Sequence, residues 1–155
     1  MLPSRRTVRD PDSTAQATQY PNGDPEESMN LTGLDHLVLR VEDVEESLAF
    51  YESIGGEPVT FGEGRRAVAL GDQKINLHPL DPDVEPVAAA PTVGSGDLCV
   101  LTDEPIESVE RDLAEREIEV ITGPIERSGA VGPIESVYVR DPDGNLVEIA
   151  AYVDG

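Results

Sequence analysis

SVYVRDPDGNLVEI, residues 136–149, is the stretch whose reading decides the fold. Two alternating stretches flank Asp141-Pro142-Asp143-Gly144. Proline at the second turn position and glycine after Asp143 suit a type I turn closed by a left-handed glycine bulge, the three-residue hairpin loop. In that register Asp141 pairs with Asn145, and Tyr138 falls opposite Glu148. Val137, Val139, Val147 and Ile149 then share a packed face. Ser136, Tyr138, Arg140, Leu146, Glu148 and Ala150 share the other. A four-residue loop would mix polar and apolar side chains on both faces, so the first register is expected. Glu148 thereby stands between Val147 and Ile149, where an unpaired carboxylate is costly.

Working outward, Asp97–Leu101 reads as a strand and Pro105 opens a helix, with Asp103 or Glu104 capping it. That helix carries the stripe Ile106, Val109 and Leu113. Ile118–Ile121 reads as a strand, followed by a Gly-rich loop over Gly123–Gly132 long enough to close over a ligand. Strands Glu135–Arg140 and Asn145–Tyr152 end the unit. The first half has the same grammar. Asp35–Val41 is a strand with Leu37, Leu39 and Val41 on one face and His36, Val38 and Arg40 on the other. Asp43 caps a helix with Glu46 as its capping-box partner, and Val44, Leu48, Tyr51 and Ile54 form its stripe. Gly55-Gly56 stops it, and strands Pro58–Phe61, Arg66–Leu70 and Lys74–His78 follow. The expected fold is α+β: two βαβββ modules forming a cupped mixed β-sheet with helices on the outer face. Residues 1–28 read as a disordered tail, and residues 29–155 as one domain, with module one at 31–80, a linker at 81–95 and module two at 96–153.

Composition narrows the function. The 155 residues fit one domain, and the formal charge is -21, from 32 acidic and 11 basic residues. Lys74 is the sole lysine, the other basic residues being arginine. Such a surface reads as halophilic, adapted to a salt-filled cytoplasm where Coulomb repulsion is screened. It disfavours nucleic acid, because no basic face is available to neutralise phosphates. Cys99 is the only cysteine, so no intrachain disulfide forms, which suits a reducing cytoplasm. No apolar run approaches the roughly 18 residues of a membrane span. Arg5, Arg6 and Arg9 are followed by no apolar segment of the secretion-signal kind.

There are two histidines, His36 in the first strand and His78 at the end of the last strand of module one. Module two offers Asp97 and Glu148, which the repeat places at equivalent positions. If the modules join into one cup, four donors converge on its concave face. Two imidazoles and one or two carboxylates suit Zn, Ni, Co, Mn or Fe(II).

The segments DHLVLRVEDVEESLAFY (35–51), GDQKINLH (71–78), GPI (132–134) and SVYVRDPDGNLVEI (136–149), in twofold βαβββ order, resemble the vicinal-oxygen-chelate superfamily. It includes glyoxalase I, extradiol dioxygenases, methylmalonyl-CoA epimerase and fosfomycin- or bleomycin-resistance proteins. More narrowly, the chain is similar to the glyoxalase-domain-containing protein 5 group, from about Leu31 to Tyr152. The resemblance implies that His36, His78, Asp97 and Glu148 occupy the four metal positions. Their order departs from the His, Glu, His, Glu of bacterial glyoxalase I. Asp97 also departs from the His, His, Glu set of the dioxygenases.

On this basis Glu148 first and Asp97 second are the proton-moving candidates. Asn76, Tyr138, Arg40, Arg65 and Arg140 are the candidates for holding substrate, and Arg65, Arg66, Lys74, Arg127 and Arg140 are those for binding a substrate carboxylate. The implied activity is that of a metal-dependent glyoxalase I-like lyase acting on the hemithioacetal of methylglyoxal with a small thiol. The alternatives are an Fe(II) catechol dioxygenase and a non-catalytic small-molecule binding protein. A homodimer is expected, since superfamily members often mix modules from two chains. The location expected is the cytoplasm.

Overall fold

The computed structural model describes residues 28–81 and 86–153. The tail expected at residues 1–28 therefore lies outside the described residues, except for Ser28. From Leu34 onward the chain forms one compact unit. Its elements are β1 (His36–Val41), α1 (Val44–Ser53), β2 (Glu57–Phe61), β3 (Arg65–Leu70), β4 (Gln73–Pro79), β5 (Asp97–Leu101), α2 (Ile106–Glu115), β6 (Thr122–Ser128), β7 (Pro133–Arg140) and β8 (Leu146–Tyr152). They make two mixed four-stranded sheets, in the orders β1-β4-β3-β2 and β5-β8-β7-β6. β1 runs parallel to β4, and β5 parallel to β8; the other pairings are antiparallel. The twofold βαβββ order and the α+β class are those expected.

The turn chemistry sets the register of module two. Asp141 N–H donates to Asn145 O at 3.1 Å, Gly144 adopts φ 90°, and Tyr138 faces Glu148. In module one, Asp43 accepts from Glu46 N–H at 3.0 Å and caps α1. The packed faces merge into a single core. Leu39, Val41, Leu48, Tyr51, Ile75 and Leu77 from module one join Ile106, Leu113, Val137, Val139, Val147 and Ile149 from module two.

Three expectations fail locally. The Ile118–Ile121 strand does not form. Glu117 takes a left-handed φ of 61°, and Ile118 N–H bonds back to Leu113 O at 2.9 Å. This is a helix-terminating Schellman motif, and it turns Ile118 and Val120 onto the core. Their alternation thus serves helix-end packing rather than a sheet ladder. The strand begins instead at Thr122, so most of the expected Gly123–Gly132 loop is β6, paired with β7 through Ile125↔Ser136 and Arg127↔Ile134. At α2, Pro105 itself is the N-cap, without a side-chain bond. Neither Asp103 nor Glu104 caps the helix; Glu104 N–H donates to Thr102 Oγ1 at 3.1 Å.

The two modules are joined through the β7–β8 turn. Tyr51 Oη, on α1, donates to Asp141 Oδ2 at 2.7 Å. Asp141 also accepts from Asp143 N–H, Asn145 N–H and Asn145 Nδ2. Burial, then the Asp141 hydrogen bond, pushes the Tyr51 phenol far above its usual range. Gly56, after α1, sits so close to β3 that a Cβ would meet Val68 Cγ1 at 2.2 Å. Gly56→Ala is accordingly expected to cost about 1–3 kcal/mol by overpacking, measured by urea denaturation. An unchanged midpoint would mean that Val68 yields freely.

Candidate functional site

Strand alternation sends the side chains opposite the core onto a second face of each sheet. In module one the parallel ladder pairs His36 with Lys74, Val38 with Asn76, and Arg40 with His78. β3 adds Ala67 beside Asn76. His36 begins its strand half-exposed, with Nδ1 2.8 Å from Asp35 Oδ2. His78 lies four residues further along this ladder, about 13 Å at the usual rise per residue. The imidazoles are therefore rooted toward opposite ends of one face, with Asn76 between them.

Two acceptor-capable atoms on this face are buried without a partner, His78 Nε2 and Asn76 Oδ1. Asn76 is only 6% exposed, so its oxygen has no water to turn to. His78 is held below the usual imidazole range, first by burial and then by the charges of Arg40, Arg65, His36 and Lys74. At neutral pH it is an uncharged ring with a free lone pair, the form that binds metals.

In module two, Glu148 pairs with Cys99 on one side and Tyr138 on the other. Its Oε2 accepts from Ser136 Oγ at 2.5 Å, and Ser136 is fully buried. Arg127 Nε donates to Tyr138 Oη at 3.0 Å and lies over its ring. Asp97 opens β5, exposed, beside Leu146. Arg140 gives one N–H to Gly144 O at 3.3 Å. The Cys99 thiol is pushed up to about 11, by burial first and the Glu148 carboxylate second, which disfavours the thiolate at neutral pH.

The ladders correct one part of the repeat. With His36 and Asp97 as counterparts, Glu148 matches Asn76, whereas His78 matches Ala150. His78 therefore sits two residues further along than an equivalent of Glu148 would. The registers follow the core-facing residues, Leu37 against Ile75 and Leu98 against Val147, rather than the polar ones.

Among the described residues no three His, Cys, Asp or Glu side chains come together within the chain. The donors stand as a histidine pair in module one and a carboxylate pair in module two. The chemistry of this set still fits a divalent cation. His78 presents an unpartnered buried nitrogen, Asn76 an unpartnered buried oxygen, and Glu148 a carboxylate oriented by Ser136. The sequence reading passed over Ser136 as a site residue. The signal was available, since the turn register sets it opposite Ala150, diagonal to Glu148.

A family model described as Glyoxalase/Bleomycin resistance protein/Dioxygenase superfamily matches residues 33–149. Virulence protein STM3117 of Salmonella typhimurium is 48% identical over 126 residues, covering 81% of this chain and 88% of that protein. Its crystal structure superposes with a TM-score of 0.78 over 81% of this chain and 100% of that one. The mitochondrial methylmalonyl-CoA epimerase of Bos taurus is 30% identical over 155 residues, covering 92% of this chain and 85% of that protein. The crystal structure of lactoylglutathione lyase from Agrobacterium tumefaciens is 25% identical, with a TM-score of 0.61 over 79% of this chain and 95% of that one.

Proposed function

The chain belongs to the Glyoxalase/Bleomycin resistance protein/Dioxygenase superfamily, and from that premise we propose a divalent-metal-dependent lyase of the glyoxalase I kind. Its substrate is a methylglyoxal–thiol hemithioacetal, or a similar compound with two neighbouring oxygens. The observation that carries this reading is the division of labour between the faces. One holds a neutral imidazole with an unpartnered buried nitrogen, and the other a carboxylate oriented by a buried hydroxyl. The similarity to proteins named as an epimerase and a lactoylglutathione lyase adds support.

His78 of module one, with Glu148 and Asp97 of module two, would hold the metal, His36 being rooted about 13 Å away along the same face. When bound, the cation supplies Lewis-acid stabilisation of charge developing on the two substrate oxygens. Glu148 moves the proton between adjacent carbons, kept in position by Ser136 Oγ. Asn76 holds a substrate oxygen, and Tyr138, opposite Glu148, offers its hydroxyl to another.

Because no three donors meet within one chain among the described residues, the working site joins module one of one copy to module two of another. Apolar residues left exposed on the donor faces, Val38 and Leu101, favour such a homodimer. No helix among the described residues is long and apolar enough to cross a membrane.

The test is metal content of the purified protein, then reconstitution with Zn, Ni, Co, Mn or Fe(II) and assay against methylglyoxal with small thiols. Isomerase activity with stoichiometric metal is expected. Catechol cleavage restricted to Fe(II), or a metal-free protein indifferent to His78→Ala, would overturn the reading. Ser136→Ala is expected to lower kcat by about tenfold or more, the value of a hydrogen bond to a charged group, with KM and fold retained. A fall in melting temperature with kcat intact would make Ser136 merely structural.

A further inference from the structure

Module one carries Arg40, Arg65, Arg66 and Lys74 in a chain where acid outnumbers base 32 to 11. Arg40 is the direct ladder partner of His78. On the other side Arg66 pairs with Leu77, so Arg65 comes one step further, beside His78 on the same face. Phe61 pairs with Arg65 and extends the row onto β2. Lys74 starts two positions below Asn76, yet its ammonium lies 3.5 Å from the Phe61 ring centroid. The Arg65 guanidinium carbon is 4.9 Å from the same centroid. The small side chains of Ala67 and Ala69 leave the diagonal open for the lysine stem.

One aromatic ring thus steadies two cations on the face that carries His78 and the buried Asn76. Gathering like charges is unfavourable unless something negative comes to them. Among the described residues none of Arg40, Arg65 and Lys74 is ion-paired with a carboxylate; the pairs are His36–Asp35 and Arg66–Glu45. Arg40 gives one N–H to Pro79 O at 3.2 Å and retains others for a ligand. Exposed Glu63 and Asp81 share a cleft with Arg65 and His78 at the strand ends and are the local competitors for these cations.

We infer that Arg40, Arg65 and Lys74 form an oxyanion cradle around His78, which receives a carboxylate or phosphate group of the substrate. The substrate is thus an anion carrying that group beside its two neighbouring oxygens. This rests on the reading that the His78 face meets substrate. A neutral methylglyoxal adduct of an uncharged thiol would leave the cradle unfilled. An adduct or keto acid bearing its own carboxylate or phosphate would fill it. The planar guanidinium groups suit two-pronged binding of either anion, and the Lys74 ammonium adds a third point of charge.

The experiment is calorimetric titration of the full-length protein, stripped of metal with EDTA and dialysed. Inorganic phosphate and acetate are titrated separately at low ionic strength, with chloride as the control. Saturable binding of at least one oxyanion, beyond that of chloride, is expected, and the tighter of the two names the group. Arg65→Gln and Lys74→Gln should each weaken it several-fold. Arg65→Lys should retain part of it, and Arg111→Gln on α2 should leave it unchanged. Circular dichroism checks each fold, and two variants on different strands guard against one failing. No saturable binding by the wild-type protein, or equal binding by both Gln variants, overturns the cradle, because Glu63 and Asp81 would then be its true partners. Metal is absent from this titration, so its failure is separate from failure of the metal-dependent reading, which metal content decides.

Discussion

His78→Ala and Glu148→Gln are each expected to abolish turnover, and mixing the two inactive proteins to restore about a quarter of wild-type activity. Removing a positioned proton-transfer group costs about 10²–10⁴-fold in rate. Loss of His78 removes the one imidazole whose Nε2 is buried and unpartnered. The restoration follows from where the donors stand. Histidines lie on one sheet and carboxylates on another, and within one chain they do not meet among the described residues. In a mixed dimer one site receives both defects and the other receives neither. Random exchange makes about half the dimers mixed, each with one intact site of two, which gives the quarter. The measurement is activity against mixing time after mild dissociation and re-association. Two dead proteins that stay dead, although mass analysis shows that they have exchanged, would place the whole site within one chain.

Asp141→Ala is expected to destabilise the fold by about 3–5 kcal/mol, among the largest effects of any single substitution here. Asp141 is 5% exposed and accepts from Tyr51 Oη, Asp143 N–H, Asn145 N–H and Asn145 Nδ2. Alanine leaves all four donors without their acceptor, in a place water does not readily reach. The same turn meets module one twice more, through Glu42 N–H and Ser47 Oγ donating to Asp143. Asn145 Oδ1 accepts from Gly96 N–H at 2.6 Å. The loss therefore loosens the hairpin and the joint together. Tyr51→Phe removes one donor and leaves the carboxylate its others, so about 1–2 kcal/mol is expected. Urea and thermal unfolding of both variants and the double variant, at one fixed protein concentration, read the coupling. A melting temperature for Asp141→Ala within about 3 °C of wild type would sink this account.

The parts of the fold legible beforehand are those where a residue has little conformational choice. Pro142 and Gly144 determine the turn, the turn determines that Tyr138 faces Glu148, and Asp43 announces α1. The Ile118–Ile121 run misleads because alternation records burial, and a helix end folding back on the core buries alternate residues as a strand does. The site was legible as a set of donors, not as an assembly. The offset between His78 and Glu148 depends on how each parallel pair slides to match its core residues, which the polar residues do not report. Ser136 was passed over for a different reason. A serine hydroxyl gains a role only from what lies diagonally across the ladder.

The joint between modules lies on the packed side of both sheets, while every donor and every cation of the cradle lies on the other. Selection can therefore act on two registers of the same strands almost independently. Residues on the packed faces, such as Leu39, Val137 and Val147, answer for persistence of the fold. Residues on the opposite faces, such as Arg40, Asn76 and Tyr138, answer for what it recognises. A lineage built this way can change its substrate by drift on one face of each sheet while the other face stays silent.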